Sequence, residues 1–212
     1  DTGMALREEK KQQTRQALID AALQLMHDGG GFSGLSLREV AREAGLVPTG
    51  FYRHFPDMDS LGLDIASDAC QTLRKSLRDV RRRVEGGAAI SDSMSALASF
   101  IRAQPLHFEF LARESAGGAL PLRRAIQTEM RAFTNELADD LGRWPAFGKH
   151  TAEDLFMIAD LVVQAVIHLA LALVSRTLDE SEEALMQRTE KQLRLVMLGA
   201  SIWKPREQAG PG

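Results

Sequence analysis

Two short helices joined by a glycine-containing turn, over residues 36–54, constrain the fold of this chain more than any other feature. Ser36 is followed three residues later by Glu39, the capping-box pattern that begins a helix. Gly45 ends that helix, and Pro48 suits the first turn of the next one, because a backbone N–H would have no partner there. The sequence therefore predicts a helix-turn-helix unit.

A helix-turn-helix unit is a common DNA-binding device, because its second helix fits the major groove, which is about 12 Å wide, while the first crosses the backbone. The helices are predicted over 36–43 and 48–54. The second carries polar groups suited to bases and phosphates, namely Thr49, Tyr52, Arg53 and His54. An ordinary helical hairpin with a solvated polar face has the same spacing, so the spacing alone leaves both interpretations open.

The rest of the chain also has helical periodicity, and alternating strand patterns are absent. Its 212 residues are enough to bury a core. We therefore expect an all-α protein with a three-helix domain over 5–56, a second helical domain over 57–204, and a flexible tail over 205–212 that is rich in glycine and proline. Further helices are predicted over 6–27, 57–83, 91–103, 105–111, 122–141, 152–177 and 181–203.

The composition excludes several classes of protein. Apolar residues make up 44% and charged residues 26%, a balance typical of globular chains. The single cysteine, Cys70, excludes an intramolecular disulfide and a zinc site built from cysteines. The first residues are charged and contain no signal-peptide pattern, so we expect a cytoplasmic protein. The net charge is −3, so any anion-binding surface must be local.

Residues 155–174 are apolar over a length that could span a bilayer. Asp160, Gln164 and His168 interrupt the run at intervals of four, so a helix would place them in one polar stripe. Ionisable groups are costly in lipid. We therefore expect no membrane span, but a helix buried within the protein or an oligomer.

The segment SLREVAREAGLVPTGFYRHF, residues 36–55, resembles the DNA-binding signature of the TetR family of transcriptional regulators, which spans most of residues 8–61. Positions 48–55, followed by Leu61-Gly62-Leu63, are similar to the FabR and DesT type, repressors of bacterial unsaturated fatty acid synthesis. The resemblance implies a helix-turn-helix DNA-binding domain, a ligand-binding and dimerisation domain, a palindromic operator, and a homodimer formed through the last two helices.

The resemblance also implies roles for individual residues. Arg38 would contact a base edge or a phosphate, and Thr49 and Gly50 would lie against base edges. Tyr52 and His54 would contact phosphates. Ser36, at the start of its helix, could also donate a hydrogen bond to a phosphate. Many family members have lysine where this chain has Met58. The expected DNA-binding set is Ser36, Arg38, Pro48, Thr49, Gly50, Tyr52, Arg53 and His54.

The FabR and DesT type implies a long-chain acyl-CoA effector and no cofactor. Met and Phe are abundant in the middle helices and suit an acyl chain, whose burial contributes roughly 0.8 kcal/mol per CH₂. The polar stripe either pairs across the helix bundle or contacts this ligand. The CoA phosphates would need cations. Candidates near the loop at 117–118 are Arg113, Arg123 and Arg124, and a further candidate is the basic run over 78–83. The expected ligand contacts are Phe100, Phe108, Leu111, Met130, Phe133, Phe156, Gln164 and His168.

The sequence also bears on two other functions. A TetR-type regulator of a multidrug exporter would also have an apolar pocket, so the sequence leaves this alternative open. A helical enzyme is not expected, because the sequence has neither a Glu-x-x-His pair nor a His-x-x-x-His pair. The glycines at 29, 31 and 34 match a dinucleotide-binding pattern in spacing, but they follow a helix instead of a strand.

Overall fold

The computed structural model describes residues 2–29, 31–83, 88–175 and 181–203. These residues form helices and no strand, which confirms the all-α prediction. The predicted tail over 205–212 and the predicted helix end at 176–177 lie outside the described residues. The helices are α1 (Thr2–Gly29), α2 (Leu37–Glu43), α3 (Pro48–Phe51), α4 (Met58–Arg83), α5 (Ala88–Ala103), α6 (Pro105–Gly117), α7 (Leu120–Gly142), α8 (Ala152–Ser175) and α9 (Glu182–Ile202).

The turn between α2 and α3 has the geometry that its sequence predicts. Gly45 has a φ of 70°, a left-handed conformation that side chains with a Cβ rarely adopt. Its N–H donates to the Arg42 carbonyl, and the Leu46 N–H donates to the Ala41 carbonyl at 2.8 Å. This is a Schellman ending, which satisfies the last carbonyls of α2 and directs the chain into α3.

Two predicted C-terminal helix ends were wrong by three residues or more. The helix expected over 48–54 ends at Phe51, and the next three residues form a turn. The helix expected over 105–111 continues to Gly117 as α6. The apolar spacing stops at Leu111, but the polar residues that follow are good helix formers and one of them, Glu114, is buried.

The three N-terminal helices share a core with the rest of the protein. This N-terminal core receives side chains from α1 to α4, but also from α6 and α7, so the boundary predicted between residues 56 and 57 does not divide the buried side chains. A 3₁₀ turn, Phe32–Gly34, joins α1 to α2 and contributes to it. Its main members are Leu18, Ala22, Met26, Phe32, Val40, Phe51, Phe55, Leu61, Ile65, Phe110, Leu111, Leu122 and Ile126.

A second buried cluster, the C-terminal core, lies among α4 to α9. Three phenylalanines, one each from α5, α6 and α7, belong to it, and the rings of Phe100 and Phe108 lie edge to face with centroids 5.3 Å apart. Its main members are Leu73, Leu77, Met94, Leu97, Phe100, Ile101, Phe108, Phe133, Leu141, Phe147, Ile158, Val163, Leu169, Leu185 and Leu193.

The last two helices keep apolar side chains on their outer faces. Residues 152–173 of α8 form a segment long and apolar enough to cross a membrane, of which only 28% is buried. Soluble proteins can also contain such a helix, as core or as an oligomer face. The exposed apolar side chains are Met157, Leu161 and Leu171 on α8 and Leu195, Leu198 and Ile202 on α9.

Candidate DNA interface and sensor core

The start of α2 is held by a complete capping box. The Ser36 N–H donates to Glu39 Oε2 at 2.9 Å, and the Glu39 N–H donates to Ser36 Oγ at 3.3 Å. The Ser36 hydroxyl also donates to Glu39 Oε2, at 2.7 Å. These bonds lower the pKa of the Glu39 carboxyl, so it is negatively charged at neutral pH. In this conformation the Ser36 hydroxyl donates within the capping box, and its contact with a phosphate stays a prediction.

The other predicted base-contacting residues lie on the surface. Arg38, Pro48 and Thr49 are exposed. Gly50 is half-buried, and a Cβ built on it would lie 3.5 Å from the Leu46 Cβ, which is an ordinary contact. Packing within the protein therefore does not require glycine at position 50, and its role in close approach to DNA stays a prediction.

Tyr52 and Arg53 project from the turn that follows α3. Tyr52 is 61% exposed, although its ring lies edge-on against the fully buried ring of Phe51. Phe51 therefore anchors the turn in the N-terminal core while the phenol reaches solvent. Two N–H groups, of His54 and Phe55, donate to the Phe51 carbonyl and fix the turn.

His54 is half-buried, and its Nδ1 has no hydrogen-bond partner among the described residues. Burial lowers the pKa of the His54 imidazole, and the nearby positive charges of Lys11, Arg15 and Arg53 lower it further. The imidazole is therefore neutral at neutral pH, so the positive potential around it comes from these three cations.

Two cations that the helix-turn-helix pattern does not indicate, Lys11 and Arg15, also lie near this turn. Both lie on α1, which places them beside the turn after α3. The Arg15 guanidinium lies 5.3 Å from the centre of the Phe55 ring and pairs with Asp64 of α4. The signal that could have found Lys11 is the short basic run at positions 10 and 11 of a helix that packs behind the helix-turn-helix.

The eight predicted ligand contacts do not meet at one place. Phe100, Phe108 and Phe133 lie in the C-terminal core. Leu111 belongs to the N-terminal core, and Met130 packs against it. The other three, Phe156, Gln164 and His168, belong to neither core.

Gln164 and His168 are exposed on the outer face of α8, and they do not reach the buried cluster. They share this face with Met157, Leu161 and Leu171, at intervals of four, three, four and three residues. A polar stripe on an apolar helix predicts burial against some partner, but it does not distinguish the core from an oligomer face. Phe156 is half-buried, with the Arg131 guanidinium 5.6 Å from its ring centre.

Among the clefts between the described residues, those at α5/α9, at α1/α4/α6 and along α4 are lined by residues other than the eight predicted contacts. One of about 360 Å³ separates α5 from α9, one of about 300 Å³ lies between α1, α4 and α6, and one of about 370 Å³ lies along α4. Phe100, Phe108 and Phe133 are buried, and the first two rings are in contact, so an acyl chain that entered between them would displace the helices that carry them.

The cations proposed for the CoA phosphates differ in their surroundings. Arg113 donates to the Met26 carbonyl and pairs with Glu109, and Arg78 pairs with Glu136. Arg123 and Arg124 form no ion pair within the described residues. The side chains of residues 81–83 lie outside the described part of the chain.

The described residues contain no metal-binding cluster, and their cysteine is buried. No group of three or more His, Cys, Asp or Glu side chains there could hold a metal ion. Cys70 is fully buried, and burial together with the nearby Glu129 carboxylate raises the pKa of its thiol to about 12. Its thiol is therefore part of the packing.

Comparison with known protein families agrees with this arrangement. Residues 18–65 match the model of bacterial regulatory proteins of the tetR family, and residues 87–200 match the tetracyclin repressor-like C-terminal domain. The second match alone covers more than half of the chain. The chain belongs to the TetR family. The resemblance of residues 36–55 to the TetR signature is thereby confirmed. Regulators of this family are DNA-binding proteins without enzymatic activity that bind operator DNA and form dimers.

Solved structures of bacterial transcriptional regulators have the same fold. The fatty acid degradation regulator FadR from Bacillus halodurans has a TM-score of 0.72 at 15% identity, over 85% of this chain and 94% of that one. A transcriptional regulator from Rhodococcus sp. Rha1 has a TM-score of 0.70 at 22% identity, over 90% and 99%. FadR from Bacillus subtilis, solved in complex with stearoyl-CoA, has a TM-score of 0.69 at 16% identity, over 87% and 98%. At these identities the likeness shows the TetR fold alone.

Proposed function

We propose that this TetR-family regulator is a cytoplasmic, homodimeric repressor that binds a palindromic operator and senses long-chain acyl-CoA. Its proposed role is to control fatty acid desaturation or unsaturated fatty acid synthesis, as the FabR and DesT type does. The observation that carries this proposal is the placement of Phe100, Phe108 and Phe133 in a core shared by α5 to α8, in a fold that holds stearoyl-CoA in the FadR relative.

The DNA-binding part of this proposal is supported by the polar side chains that α3 and the turn after it expose to solvent. Thr49, Tyr52 and Arg53 are exposed, and Lys11 is near His54 in the same turn, so this part of the surface offers groups for base edges and for phosphates. One helix-turn-helix covers only a few base pairs. Two copies held about 34 to 36 Å apart would contact successive major grooves, and both would contribute to the affinity.

The dimer rests on the outer faces of α8 and α9. The five positions from Met157 to Leu171 recur at alternating intervals of four and three residues, the spacing by which helices pack along a seam. A second copy would cover this seam and the exposed leucines at 195 and 198 in a four-helix bundle. Gln164 and His168 would then lie inside the interface, where polar groups fix the register of the two copies.

The sensing part of this proposal depends on the shape of the acyl chain. An acyl chain that enters the C-terminal core displaces close-packed rings, so the surrounding helices must shift. A cis double bond bends the chain, and a saturated and an unsaturated chain of equal length therefore require different shifts. A difference of about 1–3 kcal/mol between the two packings changes operator affinity 5- to 150-fold.

The CoA head group needs cations, and Arg123 and Arg124 at the start of α7 supply two that are not committed to an ion pair within the described residues. The double variant Arg123→Ala/Arg124→Ala should weaken acyl-CoA binding. Lys149→Ala, which removes an exposed cation from a distant loop, is the matched control and should bind acyl-CoA as before.

The test begins with an operator selected from random duplexes by the full-length protein. Stearoyl-CoA, oleoyl-CoA and free CoA are then titrated, with calorimetry for binding and fluorescence anisotropy for operator affinity. Both acyl-CoAs should bind with unequal effects on the operator, and free CoA should have none. Equal effects at saturation would contradict sensing by chain shape. Binding of neither, with the operator still bound, would favour the regulator of a multidrug exporter.

A further inference from the structure

Helix α6 has a face in each of the two cores. Phe108 lies in the C-terminal core, whereas Phe110 and Leu111, two and three residues later, lie in the N-terminal core. The helix is short, with 13 residues from Pro105 to Gly117. A rigid helix cannot move one of these faces without the other, so α6 connects the sensor side chains mechanically to the DNA-binding helices.

On the DNA-binding side, α6 contacts the 3₁₀ turn at Phe32. The ring of Phe32 lies edge-on against Phe110, with centroids 5.3 Å apart and an interplanar angle of 88°. Its backbone N–H points to Glu114 Oε1, at 3.4 Å. Phe32 precedes the Ser36 cap of α2 by only four residues. The turn that leads into the helix-turn-helix is therefore held to α6 by both a side chain and a main-chain group.

Packing alone does not account for a glutamate at position 114. Its side chain is 3% exposed, and Oε2 is buried without a hydrogen-bond partner among the described residues. A carboxyl group in such a place costs stability that an apolar residue of similar volume would not. Gly118 makes room for it, because a Cβ there would lie 2.4 Å from Oε2. The contact that distinguishes glutamate from leucine is the one to the Phe32 N–H.

The same helix also holds the end of α1. The Arg113 guanidinium donates to the Met26 carbonyl at 3.2 Å, and His27 Nδ1 lies 2.7 Å from Glu109 Oε2. Arg113 and Glu109 pair with each other at 2.6 Å. These contacts fasten α6 to the C-terminal end of α1, immediately before the Phe32 turn, so they position the same junction from the other side.

We propose that Glu114 is a positioning residue for DNA recognition: by holding the Phe32 backbone it makes the helix-turn-helix follow any displacement of α6. The orientation of the DNA-binding helices is then set by α6 through the main chain, in addition to their covalent link through α4. This inference rests on the family's DNA binding and does not depend on the identity of the effector.

The test compares Glu114→Gln, which keeps an oxygen acceptor for Phe32, with Glu114→Leu, which removes it and fills the space. Thr134→Val is the control, because Thr134 is also buried and its hydroxyl bonds only within α7, to Met130. All variants are full-length, and affinities for the selected operator and for a random duplex are measured without effector. Unfolding midpoints are recorded in parallel.

Glu114→Leu should bind the selected operator at least tenfold more weakly, with its dimerisation unchanged, while Glu114→Gln and Thr134→Val stay within twofold. Amide exchange over residues 31–35 should accelerate in Glu114→Leu alone. Nitroxide labels on Glu43→Cys, an exposed site at the end of α2, should show a broader distance distribution between the two copies in Glu114→Leu. The buried Cys70 should not be labelled.

Wild-type operator affinity in Glu114→Leu would overturn the proposal. An equal loss in Glu114→Gln and Glu114→Leu would overturn it too, because the hydrogen-bond acceptor would then be irrelevant. Should Glu114→Leu not fold, Glu114→Met provides an apolar side chain of similar length, and its results are judged by the same criteria. Because no acyl-CoA is present, failure here leaves the proposed effector untouched.

Discussion

Gly62 of α4 lies directly against the ring of Phe32. A Cβ built on Gly62 would stand 2.7 Å from Phe32 Cε1, and Leu122 Cδ2 closes the same space at 3.4 Å. The ring is thus held between α4 and Phe110 of α6. Three helices from beyond residue 57, α4, α6 and α7, therefore meet at one side chain in the turn before the helix-turn-helix.

Gly62→Ala should therefore destabilise the protein, because the added methyl group forces the Phe32 ring to move in a close-packed region. Overpacking of this kind costs roughly 1–3 kcal/mol. Urea unfolding measures the effect, with Gly117→Ala as control because its Cβ would meet nothing within 4 Å. The prediction is wrong if the two variants have the same free energy of unfolding.

Tyr52→Phe should weaken binding to the operator and to random DNA by similar factors, because a hydroxyl bound to phosphate carries no sequence information. Lys11→Ala should do the same and also reduce the slope of log affinity against log salt by about 1, since it removes a charge that releases a counterion. Anisotropy titrations at several salt concentrations measure both. A loss confined to the operator would contradict the phosphate roles.

Arg38→Ala should instead relax specificity. If the guanidinium contacts guanine O6 and N7, its loss should cost roughly 1–3 kcal/mol at one base pair in each half-site. Affinities for a set of operators with single substitutions reveal the position. A uniform loss across the whole set would identify Arg38 as a backbone contact.

The stability of the protein should fall as the pH drops below about 6.5, the usual pKa of histidine. Burial, aided by Lys11, Arg15 and Arg53, lowers the pKa of His54, so the unfolded chain takes up this proton at a higher pH than the folded chain. The free energy of unfolding therefore decreases from pH 6.5 toward the lower, folded pKa. His54→Gln should lose less stability over this range in urea unfolding at pH 5.5 to 7.5.

A second histidine provides an internal comparison for that experiment. Burial lowers the pKa of His107, although Asp20 and Asp68 act in the opposite direction. The double variant His54→Gln/His107→Gln should have a flatter profile than either single variant. An unchanged profile in the double variant would mean that other groups cause the loss.

Leu161→Asp and Leu198→Asp should each convert the dimer to monomers, because the charge would be buried in the interface between the outer faces of α8 and α9. Sedimentation equilibrium at micromolar concentration measures the molar mass. Lys149→Asp changes an exposed loop residue and should stay dimeric. A dimeric Leu161→Asp would place the interface elsewhere.

Local signals predicted the helix-turn-helix, because each is satisfied within a few residues. Ser36 and Glu39 complete their box within one helical turn, and Gly45 adopts its left-handed conformation at the end of α2. The fold class and the family could therefore be predicted from the sequence. The FabR and DesT type, the effector and the individual DNA contacts stay predictions.

Contacts distant in sequence could not be predicted in this way. Glu114 lies 82 residues from Phe32, and only the packing of α6 against the 3₁₀ turn brings them together. The pairing of Arg15 with Asp64 has the same character. For Gln164 and His168 the pattern correctly indicated one face of a helix, but the choice between core and surface depends on how α8 packs against its neighbours.

The shared N-terminal core has a consequence for anyone wishing to retarget this protein to other genes. Phe110, Leu111, Leu122 and Ile126 complete a core that begins in α1, so residues 5–56 grafted onto a foreign sensor would meet side chains that had not evolved to fit them. A chimaera made by domain exchange would therefore misfold instead of binding a new operator. Changing exposed positions such as Arg38 and Thr49 on the intact scaffold is the sounder route to a new operator.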